Sequence, residues 1–395
     1  MIEGAPRNEW AHEARSGAGV ARLAEVPSIG ATETMTLNFG PAHPSTHGVF
    51  HIRVELAGET IVSATPIIGY LHRGIEKLIE SRTYSQAQVL VDRLDYVSSF
   101  SNEFAYCRAM ETLGDIEVPE RAQFLRTIFA EMVRITSHLV WLGSVGLDMG
   151  AWGPMLYAFV ERERLVDFFE ESAGARMMFN YLRPGGVRED LPDGWTDRVF
   201  HYLKDEFPTK VDEFEELLTD NEILRSRLIG ISSIDTATAL AWGMTGPPLR
   251  ATGLARDLRK DAPYGVYDRV EFSVPTAQHG DCYDRYTVRM AEMRESASIV
   301  CQLIEQMPAE GEIRSKVPRV LRLPEGEVYL RTESPRGEQG VYLVSDGGTG
   351  PYRLHWRSPA MMNISAVQRL APGNKIADLI VIAGSLDLVM GEVDR

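Results

Sequence analysis

The chain of 395 residues is 44% hydrophobic and 25% charged, with a formal net charge of -15 and a pI near 5.2. That is enough apolar material for one large core or two smaller ones, and disorder is not the default. The acidity, with no runs of Lys and Arg, excludes a nucleic-acid-binding face, because phosphates are gripped by clustered cations.

Residues 1–33 are rich in Ala, Gly, Arg and Glu without sustained periodicity and read as a tail. Their opening segment lacks the apolar core of a secretory signal, so a cytoplasmic chain is expected. Apolar alternation through Leu37 and Phe39, then Phe50, Ile52, Val54 and Leu56, with a turn at Ala57-Gly58-Glu59 before Thr60 to Pro66, predicts a small antiparallel sheet over 34–68. Between its first two strands lies Gly40-Pro41-Ala42-His43-Pro44-Ser45-Thr46-His47-Gly48. His43 and His47 have the spacing of a zinc-binding pair, but that spacing works only on a helix and Pro44 lies between them.

The period then changes to about 3.6 residues, predicting a mainly helical region over 69–320. Helices are expected over 72–90, 93–113, 119–145, 154–173, 209–219 and 281–307, with Gly146 closing the third and Asp148 just past its end. Strands return at 327–332, 340–345 and 352–357 within a last stretch, 321–395, that ends in a buried apolar segment from Ile376. No apolar run approaches the roughly 20 residues that span a bilayer, since even Ile376 to Met390 is broken by Asp378 and Asp387. The fold class expected is α+β, as one unit over 34–395 with a helical centre and a sheet at each flank. Cys107, Cys282 and Cys301 form no Cys-x-x-Cys pair, which leaves the chain without a metal or cluster site of its own. Gly-x-Gly-x-x-Gly, Walker and Gly-x-Ser-x-Gly motifs are missing too.

The His43–His47 loop, the run Ile68-Gly-Tyr-Leu-His-Arg-Gly-Ile-Glu-Lys77 and Asp92-Arg-Leu-Asp-Tyr96 together resemble one family. It is the 49-kilodalton subunit of proton-pumping NADH:quinone oxidoreductase, respiratory complex I, related to [NiFe]-hydrogenase large subunits. Further likeness runs through Tyr181 to Gly186, Pro247 to Gly253, Met293 to Ser296, Glu333 to Glu338, Ser345 to Gly348 and Val389 to Arg395. The resemblance implies a hydrogenase-like fold and a peripheral protein on the cytoplasmic side of the membrane. It implies a quinone substrate, menaquinone or ubiquinone, whose head group enters a cavity beside a [4Fe-4S] cluster carried by an adjacent small iron–sulfur subunit (NuoB type). A 30-kilodalton subunit (NuoC type), a ferredoxin-like subunit (NuoI type) and a membrane subunit at the quinone entrance (NuoH type) are the other implied partners. Ferredoxin or F420H2 in place of NADH as donor, or a non-catalytic scaffold, are the alternatives.

The resemblance places His47 and Tyr96 on the quinone carbonyls and Asp148 behind His47, with His43, His72, Arg73 and Met178 around the quinone and the cluster. Quinone reduction needs donors where negative charge develops, which a phenol and a carboxylate-assisted imidazole supply. Taken singly, Tyr96 reads as a core tyrosine, His47 as a turn cap, Asp148 as a loop end and Arg73 as a surface partner of Glu76 or Glu80. Hydrogenases hold nickel and iron with two Cys-x-x-Cys pairs; Asp95, Ser98, Val389 and Glu392 stand at those places here, so hydrogen chemistry is excluded on ligand grounds. Met178 stands where many relatives carry a histidine. Leu388 replaces a usual proline, and the segment between Met307 and Pro324 is short for the family.

Overall fold

The computed structural model describes residues 34–42 and 48–395. The expected tail over 1–33 and the loop residues 43–47, with His43 and His47, lie outside that range.

Strands β1 (Met35–Ala42), β2 (Phe50–Ala57) and β3 (Thr60–Ile67) form an antiparallel meander in that order. Period-two alternation buries Phe50, Ile52, Val54 and Leu56 and leaves Arg53 and Glu55 exposed. Gly58, at φ +62°, takes the left-handed position of the two-residue turn into β3.

The helix expected over 72–90 is two helices, α1 (Ile75–Ile79) and α2 (Tyr84–Val91). Thr83 and Gln86 form a capping box that starts α2 afresh, which the 3.6-residue periodicity alone does not reveal. The next helix, α3 (Ser99–Gly114), begins six residues later than expected. Residues 92–98 form a turn instead, because Ser99 Oγ and Asn102 Nδ2 donate to the Asp92 and Asp95 carbonyls at 3.0 and 3.1 Å and the Val97 amide donates to the Asp95 carboxylate at 3.1 Å.

The long helix α4 (Glu120–Asp148) is buried over most of its surface and is the axis against which α5 (Trp152–Ala173) and α6 (Cys282–Gln306) pack. Gly146 does not close α4. A Cβ there would meet Pro154 Cβ at 3.0 Å, so the glycine serves the close approach of α5, and Asp148 is the last helical residue, not one beyond the end. The helix expected over 209–219 runs from Phe207 to Leu218, and several unexpected short helices occupy 195–261.

A second meander, β6 (Gly326–Ser334), β7 (Gly337–Ser345) and β8 (Arg353–Arg357), precedes short helices and finally α7 (Met390–Asp394); β4 (Leu182–Arg183) and β5 (Gly186–Val187) make a small hairpin. Residues Leu386 to Val393 are almost wholly excluded from solvent. The architecture is α+β, with a helical centre and small antiparallel sheets near the N-terminus and in the C-terminal third.

Candidate functional site

The turn over 92–98 presents Tyr96 half-buried. Burial, and then the Asp95 carboxylate, push its phenol up to about 12, against the opposing pull of Arg336 and Arg73. At neutral pH it is therefore a protonated donor. The floor under its ring is α7. A Cβ on Gly391 would come within 2.9 Å of Tyr96 Cε1, 3.0 Å of the Leu94 carbonyl and 3.1 Å of Arg73 Nη2, so only glycine lets these groups meet.

Arg73 donates through Nη2 to the carbonyls of Arg93 at 2.7 Å and Gly391 at 3.1 Å. It thereby ties the Tyr96 turn to α7. Its surface rivals are engaged otherwise, Glu76 by Arg353, His355 and Arg395, and Glu80 by Lys77 and Arg353. The Asp394 carboxylate accepts from the amides of Gly69 and Leu71 at 2.8 and 2.7 Å, and His72 Nδ1 lies 2.7 Å from the Asp394 carbonyl. Gly48, where the histidine loop rejoins β2, is buried against the same helix: a Cβ there would lie 2.7 Å from Met390 Cβ and 2.6 Å from Leu71 Cδ1. Tyr96, Arg73, His72 and the exit of the 43–47 loop thus share α7 as a common support.

Behind Tyr96 lies a buried ionic cluster. The β6–β7 hairpin turns through Pro335-Arg336, with Gly337 at φ +128° so close to Thr245 and Gly246 that a Cβ would sit 2.6 Å from Thr245 Oγ1. This tight tip drives Arg336 into the core. Its guanidinium donates to Asp95 Oδ2 at 2.6 Å, Ser137 Oγ at 3.2 Å, the Asp387 carbonyl at 3.0 Å and Asp387 Oδ1 at 3.3 Å. Asp95, Asp387 and Glu392 are all within 1% of full burial. Burial raises the Asp95 carboxyl despite Arg336, and burial followed by Asp95 raises Glu392 to about 8.

Met178 sits in the loop after α5 with φ +57°. The loop is anchored to the Tyr96 turn by Asp92, which accepts from the Asn180 amide at 3.2 Å, and to α3 by Glu103, which accepts from the Tyr181 and Leu182 amides at 2.9 and 2.7 Å. Asp92 and Glu103 are buried neighbours. Burial raises both carboxyls, Asp92 to about 7 and Glu103 well above the usual range, with the Asp92 charge adding to the rise at Glu103. Asp148 closes α4, half-buried.

Comparison with known proteins bears on what this arrangement belongs to. Residues 148–323 and 317–395 match the family described as respiratory-chain NADH dehydrogenase, 49 Kd subunit. The chain belongs to this family. A protein of Geobacillus kaustophilus, named as a subunit of NADH-quinone oxidoreductase, is 48% identical over 363 residues, 92% of this chain and 99% of its own length. Proteins of the same name from Carboxydothermus hydrogenoformans and Bacillus mycoides are 49% and 47% identical over the same shares.

Within this 49 Kd family chain, sequence reasoning passed over Arg336 and Asp387, and it treated Asp95 and Glu392 only as places without cysteine. One signal was available. An arginine in a Pro-Arg-Gly hairpin between apolar strands is expected at the surface, yet the glycine after it announces a close approach that turns the tip inward.

Proposed function

We propose that the chain forms the quinone head-group cavity of a proton-pumping NADH:quinone oxidoreductase, beside the terminal [4Fe-4S] cluster of a NuoB-type partner. The observation that carries this reading is the convergence on α7 of Tyr96, Arg73 and Gly48, the residue through which the His43–His47 loop returns. The relatives named as subunits of NADH-quinone oxidoreductase supply the reaction class.

In this reading the partner's cluster would supply the electrons one at a time, and the quinone takes its two protons from this chain. Tyr96 stays neutral until the quinone oxygen beside it gains charge, then gives up its proton. His47 supplies the second, with Asp148 favouring its charged form beforehand. Arg73 sits on the flank of the Tyr96 turn, where a permanent cation favours added electrons nearby. No helix among the described residues is long and apolar enough to cross a membrane. Attachment at the cytoplasmic side is proposed to run through a NuoH-type subunit, with NuoC- and NuoI-type subunits completing the peripheral assembly.

The test is Tyr96→Phe and His47→Ala in the assembled complex, with assembly, NADH-driven cluster reduction and quinone reduction measured separately. Assembly and cluster reduction are expected to survive while quinone reduction falls by about 10²-fold, the scale of a lost acid. Unchanged quinone reduction in both variants would remove the site from this chain.

A further inference from the structure

The turn that carries Tyr96 is closed at its centre by a side chain. The Asp95 carboxylate accepts from the Val97 amide at 3.1 Å through Oδ1, an Asx turn whose middle residue is Tyr96. That bond fixes the peptide plane following Tyr96, and with it the direction in which the side chain leaves the backbone. The other carboxylate oxygen, Oδ2, accepts from the Arg336 guanidinium at 2.6 Å. Asp95 thus bridges Arg336 to the amide just past the phenol-bearing residue. Among the described residues the Tyr96 hydroxyl meets no hydrogen-bond partner, so its aim is set by the turn and by the Gly391 floor.

Arg336 is itself held from several sides. Arg134 of α4 donates to the carbonyls of Ser334 and Glu333 at 3.0 and 2.7 Å, which fastens the β6–β7 tip to the long helix. One turn further along α4, Ser137 Oγ accepts at 3.2 Å from Nη1, the same Arg336 nitrogen that serves Asp95. Nε and Nη2 are engaged by the Asp387 carbonyl and carboxylate at 3.0 and 3.3 Å. The planar fork is therefore fixed in orientation and reaches Asp95 from one direction. A reacting group must be held within about 0.5 Å and about 10–20° of its productive geometry. The phenol oxygen stands about 6.5 Å from its Cα, so a swing of about 10° in the turn displaces it by roughly 1 Å, enough to cost on the order of 10²-fold in rate. Resting on the proposed quinone site, we infer that Arg336 is a positioning residue for quinone reduction: through Asp95 it sets the turn that aims the Tyr96 hydroxyl at the quinone oxygen. Arg336 acts through Asp95 and does not touch the quinone.

Arg336→Lys keeps the positive charge in the pocket but replaces the fork by a single point, which cannot hold Asp95, Ser137 and Asp387 in one geometry. Asp95→Asn keeps the shape but leaves one oxygen to serve the Val97 amide and Arg336, where the carboxylate has two. In the intact complex each change should lower kcat of quinone reduction about tenfold, short of the loss of an acid, with assembly and NADH-driven cluster reduction intact. The decisive measurement repeats both changes in a Tyr96→Phe complex. With no hydroxyl left to aim, neither should lower the residual rate further, so the effects are not additive. An ion pair that only held the fold together would lower the rate by the same factor in both backgrounds.

An assembled Arg336→Lys or Asp95→Asn complex with parental kcat would overturn the inference. So would a loss of rate that persists undiminished in the Tyr96→Phe background. An experimental map of the parent complex should show the Asp95 carboxylate bridging Arg336 and the Val97 amide; one that shows it turned away from either removes the inference, whether or not the variants assemble. Tyr96→Phe by itself separates the two failures. If it loses quinone reduction while Arg336→Lys is normal, only the positioning role is wrong; if it too is normal, the site itself is wrong.

Discussion

Replacing Arg336 by methionine removes the guanidinium from a pocket in which it is fully buried and keeps roughly the same volume. Asp95 loses a 2.6 Å charged hydrogen bond, Asp387 loses contacts at 3.0 and 3.3 Å, and Glu392 loses the cation that lowers its carboxyl. Breaking a buried ion pair from one side costs about 3–5 kcal/mol, because the partner stays behind as an unpaired buried charge. Against a domain stability of about 5–15 kcal/mol this leaves Arg336→Met marginal. The direction with pH follows from the acids. Without the cation the folded-state values of Asp95 and Glu392 rise further above those of the unfolded chain, so the variant binds more protons folded than unfolded, and its stability falls as pH rises from the normal carboxylate range upward, by up to about 1.4 kcal/mol per pH unit for each such group. Urea midpoints of the full chain at pH 6 and pH 8 should therefore show the larger deficit at pH 8. Adding Asp95→Asn to Arg336→Met should recover part of the loss, because the two changes share one interaction. An Arg336→Met chain within about 1 kcal/mol of the parent at pH 8, a difference typical of ordinary substitutions, would refute the account of the cluster.

Asp92→Asn should be tolerated and should flatten a pH dependence: the raised Asp92 carboxyl stabilises the fold fully below its unfolded value and loses that contribution as pH climbs through about 7, so urea midpoints between pH 5 and 8 should fall in the parent and less in the variant. Gly391→Ala should press on Tyr96, Leu94 and Arg73 together, costing about 1–3 kcal/mol as overpacking does, and steady-state assays of the complex should show impaired quinone reduction with cluster reduction intact. Met178 cannot titrate, so the midpoint potential of the cluster proposed to lie beside this chain should depend only weakly on pH, and Met178→His should steepen it in a redox titration. A steep slope through neutral pH in the parent would contradict this.

The sequence made the meander legible because Phe50 to Leu56 alternate with polar neighbours, and it made α4, α5 and α6 legible because each is long enough for its period to show. It misplaced the breaks around residues 80 and 92–98. There a cap at Thr83 and side-chain bonds from Ser99 and Asn102 decide the geometry, and those are interactions between specific atoms that hydropathy does not register. Tyr96 and Arg73 entered through family resemblance, not from their own pattern. The acids and arginines behind them were hidden for a different reason. Asp95, Arg336, Asp387 and Glu392 read as surface residues in any window, and the pairing of Arg336 with Asp95 and Asp387, 241 and 51 residues away, is invisible to one.

The amides of Gly69 and Leu71 wait for a carboxylate 325 and 323 residues further along, and the Arg73 guanidinium for a carbonyl 318 residues away. A chain leaving the ribosome makes the donors early and their acceptors only after nearly all the rest has been synthesised. Closing so long a loop is among the slowest events folding can depend on. An emerging polypeptide therefore carries Tyr96 for most of its translation with nothing beneath the ring, and the turn that holds it gains its support only in molecules whose synthesis has passed residue 394.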